Sequence, residues 1–110
     1  MYGNHVNSWS SNLPVLDRLK YSINVFTRMR YCYPNKQLNL FCKKSPFFID
    51  KNLQPWFSIN RKIPKEYSIF FGHWSSLQGT DISPPLFPLD SGCCWGKSLK
   101  MIRWEDKKHF

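Results

Sequence analysis

Four residues, Ser68-Ile-Phe-Phe71, constrain the fold of this chain most. The run is apolar-rich, bounded by Gly72-His73, and lacks the polar alternation of a half-solvated strand. It reads as a strand covered on both faces. Such a strand needs a packed layer on each side. The remaining sequence offers one amphipathic helix and a few short strands, so one helix must serve where two layers are required. The pattern fits the second half of a larger sandwich better than a self-sufficient domain.

The helix is predicted from Pro14, a favoured first-turn residue, to about Tyr31. Val15, Leu16, Leu19, Ile23 and Phe26 recur at helical spacing and form the expected core face. Asp17, Arg18, Lys20, Asn24 and Thr27 form the expected solvent face. Pro34-Asn35-Lys36 is a turn, and Gln37 to Cys42 alternates as a half-buried strand does. Residues 43–66 read as a long irregular connection with Pro46, Pro55 and Pro64, tacked down by Trp56-Phe57. Leu86 to Leu89 is a strand interrupted by Pro88. Gly92 to Gly96 is a turn, and Leu99 to Trp104 is a closing strand with Arg103 outward. There is no internal repeat.

A length of 110 residues suits one domain, and 42% hydrophobic with 17% aromatic content argues against disorder. The net charge of +9 favours anionic partners such as nucleotide polyphosphates or nucleic acid. Part of that basicity has a plainer source. Lys outnumbers Arg 11 to 5, beside 8 Asn, 7 Ile, 9 Phe and 5 Tyr, the residues favoured by A/T-rich codons. No apolar run approaches the roughly 20 residues of a membrane span. The first 15 residues carry no secretory pattern. Without that pattern, Cys32, Cys42, Cys93 and Cys94 read as reduced thiols of a cytoplasmic protein, and with no CxxC pair they support neither a zinc ribbon nor a thioredoxin-type site.

His73 stands just past a buried-type strand, a rigid base for a metal ligand. Gly72 before it allows an unusual φ or a close backbone approach. A lone histidine is more often structural. Gly3-Asn4-His5 imitates part of a two-metal phosphoesterase element, but no apolar strand precedes it and Val6 follows in place of a carboxylate, so it reads as coincidence. Arg28 and Arg30 offer bidentate contacts to phosphate, or complement the negative end of the helix. Asp90 either orients a ligand or caps the turn that follows it. Cys93 and Cys94 could serve as nucleophiles, but no His lies close in sequence to activate one, and small buried hydrophobes is the plainer reading. Trp95 could stack on an adenine ring, with a core or rim position as the plain alternative. Glu105 and Asp106 are expected in solvent.

Several strings stand in a telling order: Met1-Tyr-Gly3 with Asn7-Ser-Trp-Ser10, Phe26-Thr-Arg-Met-Arg-Tyr31, Lys44-Ser-Pro46, Pro55-Trp-Phe57, Glu66-Tyr-Ser68, Phe71-Gly-His-Trp74, Leu89-Asp90, Gly92-Cys-Cys-Trp-Gly96 and Arg103-Trp-Glu-Asp-Lys107. Together they resemble the C-terminal part of the bacterial symmetrical bis(5′-nucleosyl)-tetraphosphatases, diadenosine tetraphosphate hydrolases of the calcineurin-like metallophosphoesterase superfamily. The resemblance spans essentially the whole chain. It implies an α/β (α+β) fold in which residues 1–110 form the C-terminal half of a β-sandwich flanked by helices, part of one metallophosphoesterase domain and incomplete alone. It implies hydrolysis of diadenosine tetraphosphate and related dinucleoside polyphosphates to two ADP by metal-activated water, with nucleoside-tetraphosphate-capped RNA as a further substrate class.

The same resemblance implies two divalent ions, Mn, Co or Mg, with His73 as a metal ligand. Arg28, Arg30, Asp90 and Trp95 are implied substrate-binding positions. The family's Gly-Asp-x-His, Gly-Asp-x-x-Asp-Arg-Gly and Gly-Asn-His-Asp motifs are absent, and one histidine cannot hold two metals. Met1 aligns with an internal Met of the family, the mark of a fragment, a truncated product or a misplaced start. The isolated chain is therefore expected to be inactive, with a separate chain as one source of the missing half. A non-catalytic basic nucleotide- or RNA-binding remnant and a degenerate gene product are the competing expectations.

Overall fold

Pro14 caps the first turn of α1, which spans Val15–Arg28, and Asp17 and Arg28 complement the dipole at its two ends. The computed structural model describes residues 6–59, 64, 66–77 and 82–110. The chain divides into two units, Met1–Lys62 and Ile63–Phe110. Its class is mixed α/β, with one helix and two small sheets among the described residues. Gly3-Asn4-His5 lies outside those residues.

In the first unit, α1 ends where Met29 turns extended, and the chain enters β1, Tyr31–Cys32. β1 is the centre of a three-stranded antiparallel sheet, flanked by β2, Leu38–Asn39, and β3, Gln54–Pro55. Tyr31 is fully buried and its hydroxyl donates to the Lys44 carbonyl at 2.5 Å. The β1–β2 turn places Lys36 at φ 69°, with the Lys36 N–H donating to the Tyr33 carbonyl at 2.8 Å. Leu38 and Leu40 are buried while Asn39 and Phe41 are not, so the expected alternation over Gln37–Cys42 holds around a shorter strand.

Two expectations fail here. The long connection over 43–66 contains β3, and helix periodicity carried to Tyr31 concealed β1. The pairing of β3 with β1 is non-local and is extended by the Trp56 N–H, which donates to the Arg30 carbonyl at 2.9 Å. Trp56 does tack this segment down, packing on the core of Cys32, Leu38 and Leu40.

The helix also presents an unexpected face. Tyr21, Val25 and Met29 pack on that core, and Asn24 is fully buried. Leu16, Leu19 and Phe26 stand exposed, Phe26 at 86%. The Asn24 amide can enter because its Oδ1 accepts from Arg28 Nη1 at 3.0 Å. A hydrogen-bonded buried amide removes most of the desolvation cost.

The second unit is built on a parallel pair. β4, Ile69–Phe71, runs beside β5, Leu86–Pro88, in the register Ile69↔Leu86, Phe70↔Phe87, Phe71↔Pro88. The Phe70 and Phe87 rings stack at 4.9 Å between centroids. Trp74, Leu77, Leu86 and Phe87 form the buried residues beneath. β4 is only half-buried, contrary to the fully covered strand expected, because it has one neighbour where a parallel sheet ordinarily has several and layers on both faces.

The expected closing strand over Leu99–Trp104 is absent as well. Leu99, Met101 and Trp104 are exposed, and the segment forms a hairpin-like end in which Met101 and Phe110 exchange backbone hydrogen bonds. Arg103 is exposed, as expected, and holds Asp106 at 2.5 Å. That guanidinium lowers the Asp106 carboxyl below its ordinary range.

Candidate active site

A parallel pair sends the C-terminal ends of both strands the same way, and ligands in parallel α/β sheets collect beyond such ends. Phe71 pairs with Pro88, so His73 and Asp90 each lie two residues past the last paired position. The Leu89 N–H donates to the Phe71 carbonyl at 2.8 Å and fixes the two exits together. Beyond them lies a cavity of about 530 Å³ lined by His73, Asp90, Ser91, Cys93, Cys94 and Lys100, among others.

His73 is exposed and adopts φ 58°, the left-handed region. A non-glycine residue there is uncommon, and such strain collects at functional sites. The unusual φ falls on His73 and not on Gly72, to which it was attributed from the sequence. A Cβ at Gly72 would meet nothing within 4 Å, so close approach does not explain that glycine either.

The Asp90–Gly96 turn is built by its own chemistry. Asp90 Oδ1 accepts from the Gly92 N–H at 3.0 Å, the capping role foreseen as one alternative. Gly92 at φ 78° and Gly96 at φ 80° bracket a 3₁₀ turn, Cys93–Trp95. The Ser91 hydroxyl donates to the Ser98 carbonyl at 2.7 Å and ties the far side. Cys93 and Cys94 are exposed on the cavity wall, where burial was expected. The two left-handed glycines turn this short segment outward, a geometry that Gly-Cys-Cys-Trp-Gly does not declare by composition.

Trp95 is 75% exposed on the same turn and is not part of the cavity lining. Lys100, unnoticed in the sequence, lines the cavity and donates from Nζ to the Pro88 carbonyl at 3.3 Å. Its only sequence signal was position, just past the Gly-rich turn.

Arg28 and Arg30 belong to the first unit. Arg28 ends α1 and donates to Asn24, and the Arg30 carbonyl accepts from Trp56. The cavity therefore brings together His73 and Asp90 of the five candidate residues, with Trp95 on the adjoining turn.

Among the described residues, no group of three or more His, Cys, Asp and Glu side chains converges to hold a metal. His73 is a single donor, whereas two divalent ions need several. These residues do not fit a two-metal centre on their own. Among the described residues, no helix is long and apolar enough to cross a membrane.

No family model matches the chain. Its whole length is 66% identical to a Buchnera aphidicola subsp. Schizaphis graminum protein named symmetrical bis(5′-nucleosyl)-tetraphosphatase, of which it covers 40%. Proteins of the same name from Photorhabdus laumondii and Proteus mirabilis are 52% and 50% identical over all 110 residues, again 40% of each. The chain is thus similar throughout to the C-terminal part of these relatives and spans about two-fifths of their length.

Proposed function

We propose that this chain is the C-terminal part of a symmetrical dinucleoside tetraphosphate hydrolase and that both of its units belong to one metallophosphoesterase domain. The reading is carried by 66% identity, without interruption in coverage, to a relative bearing that name. Its substrate would be diadenosine tetraphosphate, hydrolysed with one water to two ADP, with related dinucleoside polyphosphates cut to the corresponding nucleotides. Nucleoside-tetraphosphate-capped RNA, with its similar polyphosphate bridge, forms the second substrate class. Four thiols suit a reducing cytoplasm.

The chain's own residues would bind and orient. Lys100 stands at the cavity as a point charge for a phosphate, and Arg28 and Arg30 offer planar forks suited to phosphate oxygens. Trp95 presents an open ring face to a base. Asp90 supports the turn that carries Cys93, Cys94 and Trp95. His73 is the donor that the resemblance implies for the Mn, Co or Mg ions, and a complementary polypeptide would bring the others. No hydrolytic step is assigned to the chain alone.

The test is ADP release from diadenosine tetraphosphate by the chain alone, and by the chain mixed with the remaining part of the Buchnera aphidicola relative. Release in the mixture and none from the chain alone is expected. Release by the chain alone, undiminished in His73→Ala, would contradict the proposal. A second reading, a non-catalytic nucleotide- or RNA-binding protein, draws on the exposed Trp95 and Trp104 and on Lys107, whose ammonium lies 3.4 Å over the Trp104 ring. It predicts salt-sensitive RNA binding by the unaided chain.

A further inference from the structure

We infer that the apolar stripe of α1 formed by Val15, Leu16, Leu19 and Phe26, all exposed, with the part-buried Ile23, is the docking face for the polypeptide that corresponds to the remaining three-fifths of the relatives' length. On a wheel of about 100° per residue, with Val15 at zero, these five residues fall within about 100° of one another. Arg28, Tyr21 and Val25 fall between about 220° and 280°, on the far side. α1 therefore carries two apolar faces. One is seated on the core of Cys32, Leu38 and Leu40. The other, the more apolar, leaves Val15, Leu16, Leu19 and Phe26 between 49% and 86% exposed.

A helix apolar on opposite sides is ordinarily buried between two layers. The sheet of the first unit supplies one of them. Contiguous exposed apolar surface of this kind marks an interface. The length comparison supplies the occupant. The chain covers 40% of the Buchnera aphidicola and Photorhabdus laumondii relatives, so 60% of each has no counterpart here. A polypeptide of that size is large enough to provide the second layer. The inference rests on the complementary polypeptide of the proposed function, but it concerns association and not chemistry.

The test co-expresses the tagged 110-residue chain with the remaining part of the Buchnera aphidicola relative and measures co-purification, then the dissociation constant of the purified pair. A complex is expected, weakened about 30-fold or more by Leu19→Glu or Phe26→Glu and unchanged by Phe48→Glu, which alters an exposed aromatic off the helix. Thermal unfolding of the chain alone should be unaffected by the two helix substitutions. No complex, or equal weakening by Phe48→Glu, would overturn the inference. So would a large loss of the chain's own stability, which would mean that the face is covered within the chain. Self-association of the chain abolished by Leu19→Glu would also overturn it, since a second copy would then be the occupant. A complex with the expected sensitivity but no hydrolysis would leave the docking face standing and reject the hydrolase reading. Hydrolysis insensitive to both helix substitutions would do the reverse.

Discussion

Cys32 and the Cys93–Cys94 pair illustrate how far residue type alone carries. Cys32 is buried at 4% exposure, and that burial pushes its thiol above the ordinary range. Burial likewise raises the neighbouring Tyr21 phenol, with the Cys32 charge adding to the effect. Cys93 and Cys94 stand open on the cavity wall. A disulfide reagent at neutral pH should therefore label Cys93 and Cys94 in the native chain and reach Cys32 only on unfolding. Rapid native labelling of Cys32 would contradict the packing of the first unit. His73 was legible as a candidate because Gly-His follows an apolar run. Its left-handed backbone was not, since φ depends on the turn that the chain takes after β4.

At the scale of elements, local signals worked and tertiary ones did not. The start of α1, the Leu38–Leu40 alternation, β4 and β5 follow from periodicity and turn chemistry that adjacent residues carry. β1 and β3 are two-residue strands, and β3 joins β1 across more than 20 residues, a distance that no periodicity spans. The most apolar stripe of the α1 wheel is not the face that packs on the core of the first unit. A helix with two apolar faces leaves that choice to its neighbours, and here Asn24 with its Arg28 bond enters the interior. In the isolated chain Val25→Ala should cost about 1–2 kcal/mol. Leu19→Ala should change stability by less than about 0.5 kcal/mol. Denaturant unfolding of the two variants checks the assignment, and the opposite ranking would restore the face expected from the sequence.

The whole molecule explains why both units keep unsatisfied surfaces. Among the described residues, β4 and β5 form a two-stranded parallel pair and α1 carries a bare apolar stripe, and on the proposed function the rest of a larger sandwich would cover both. The site shows the same incompleteness. The register of β4 on β5 gathers His73, Asp90 and Lys100 at one cavity, yet no metal-holding cluster forms among the described residues. The most direct measurement is a chimera in which this chain replaces the corresponding two-fifths of the Buchnera aphidicola relative, assayed for ADP release from diadenosine tetraphosphate. The account predicts an active chimera whose kcat/KM falls about 100-fold or more with His73→Ala. A folded chimera with no activity, or one indifferent to His73→Ala, would contradict it.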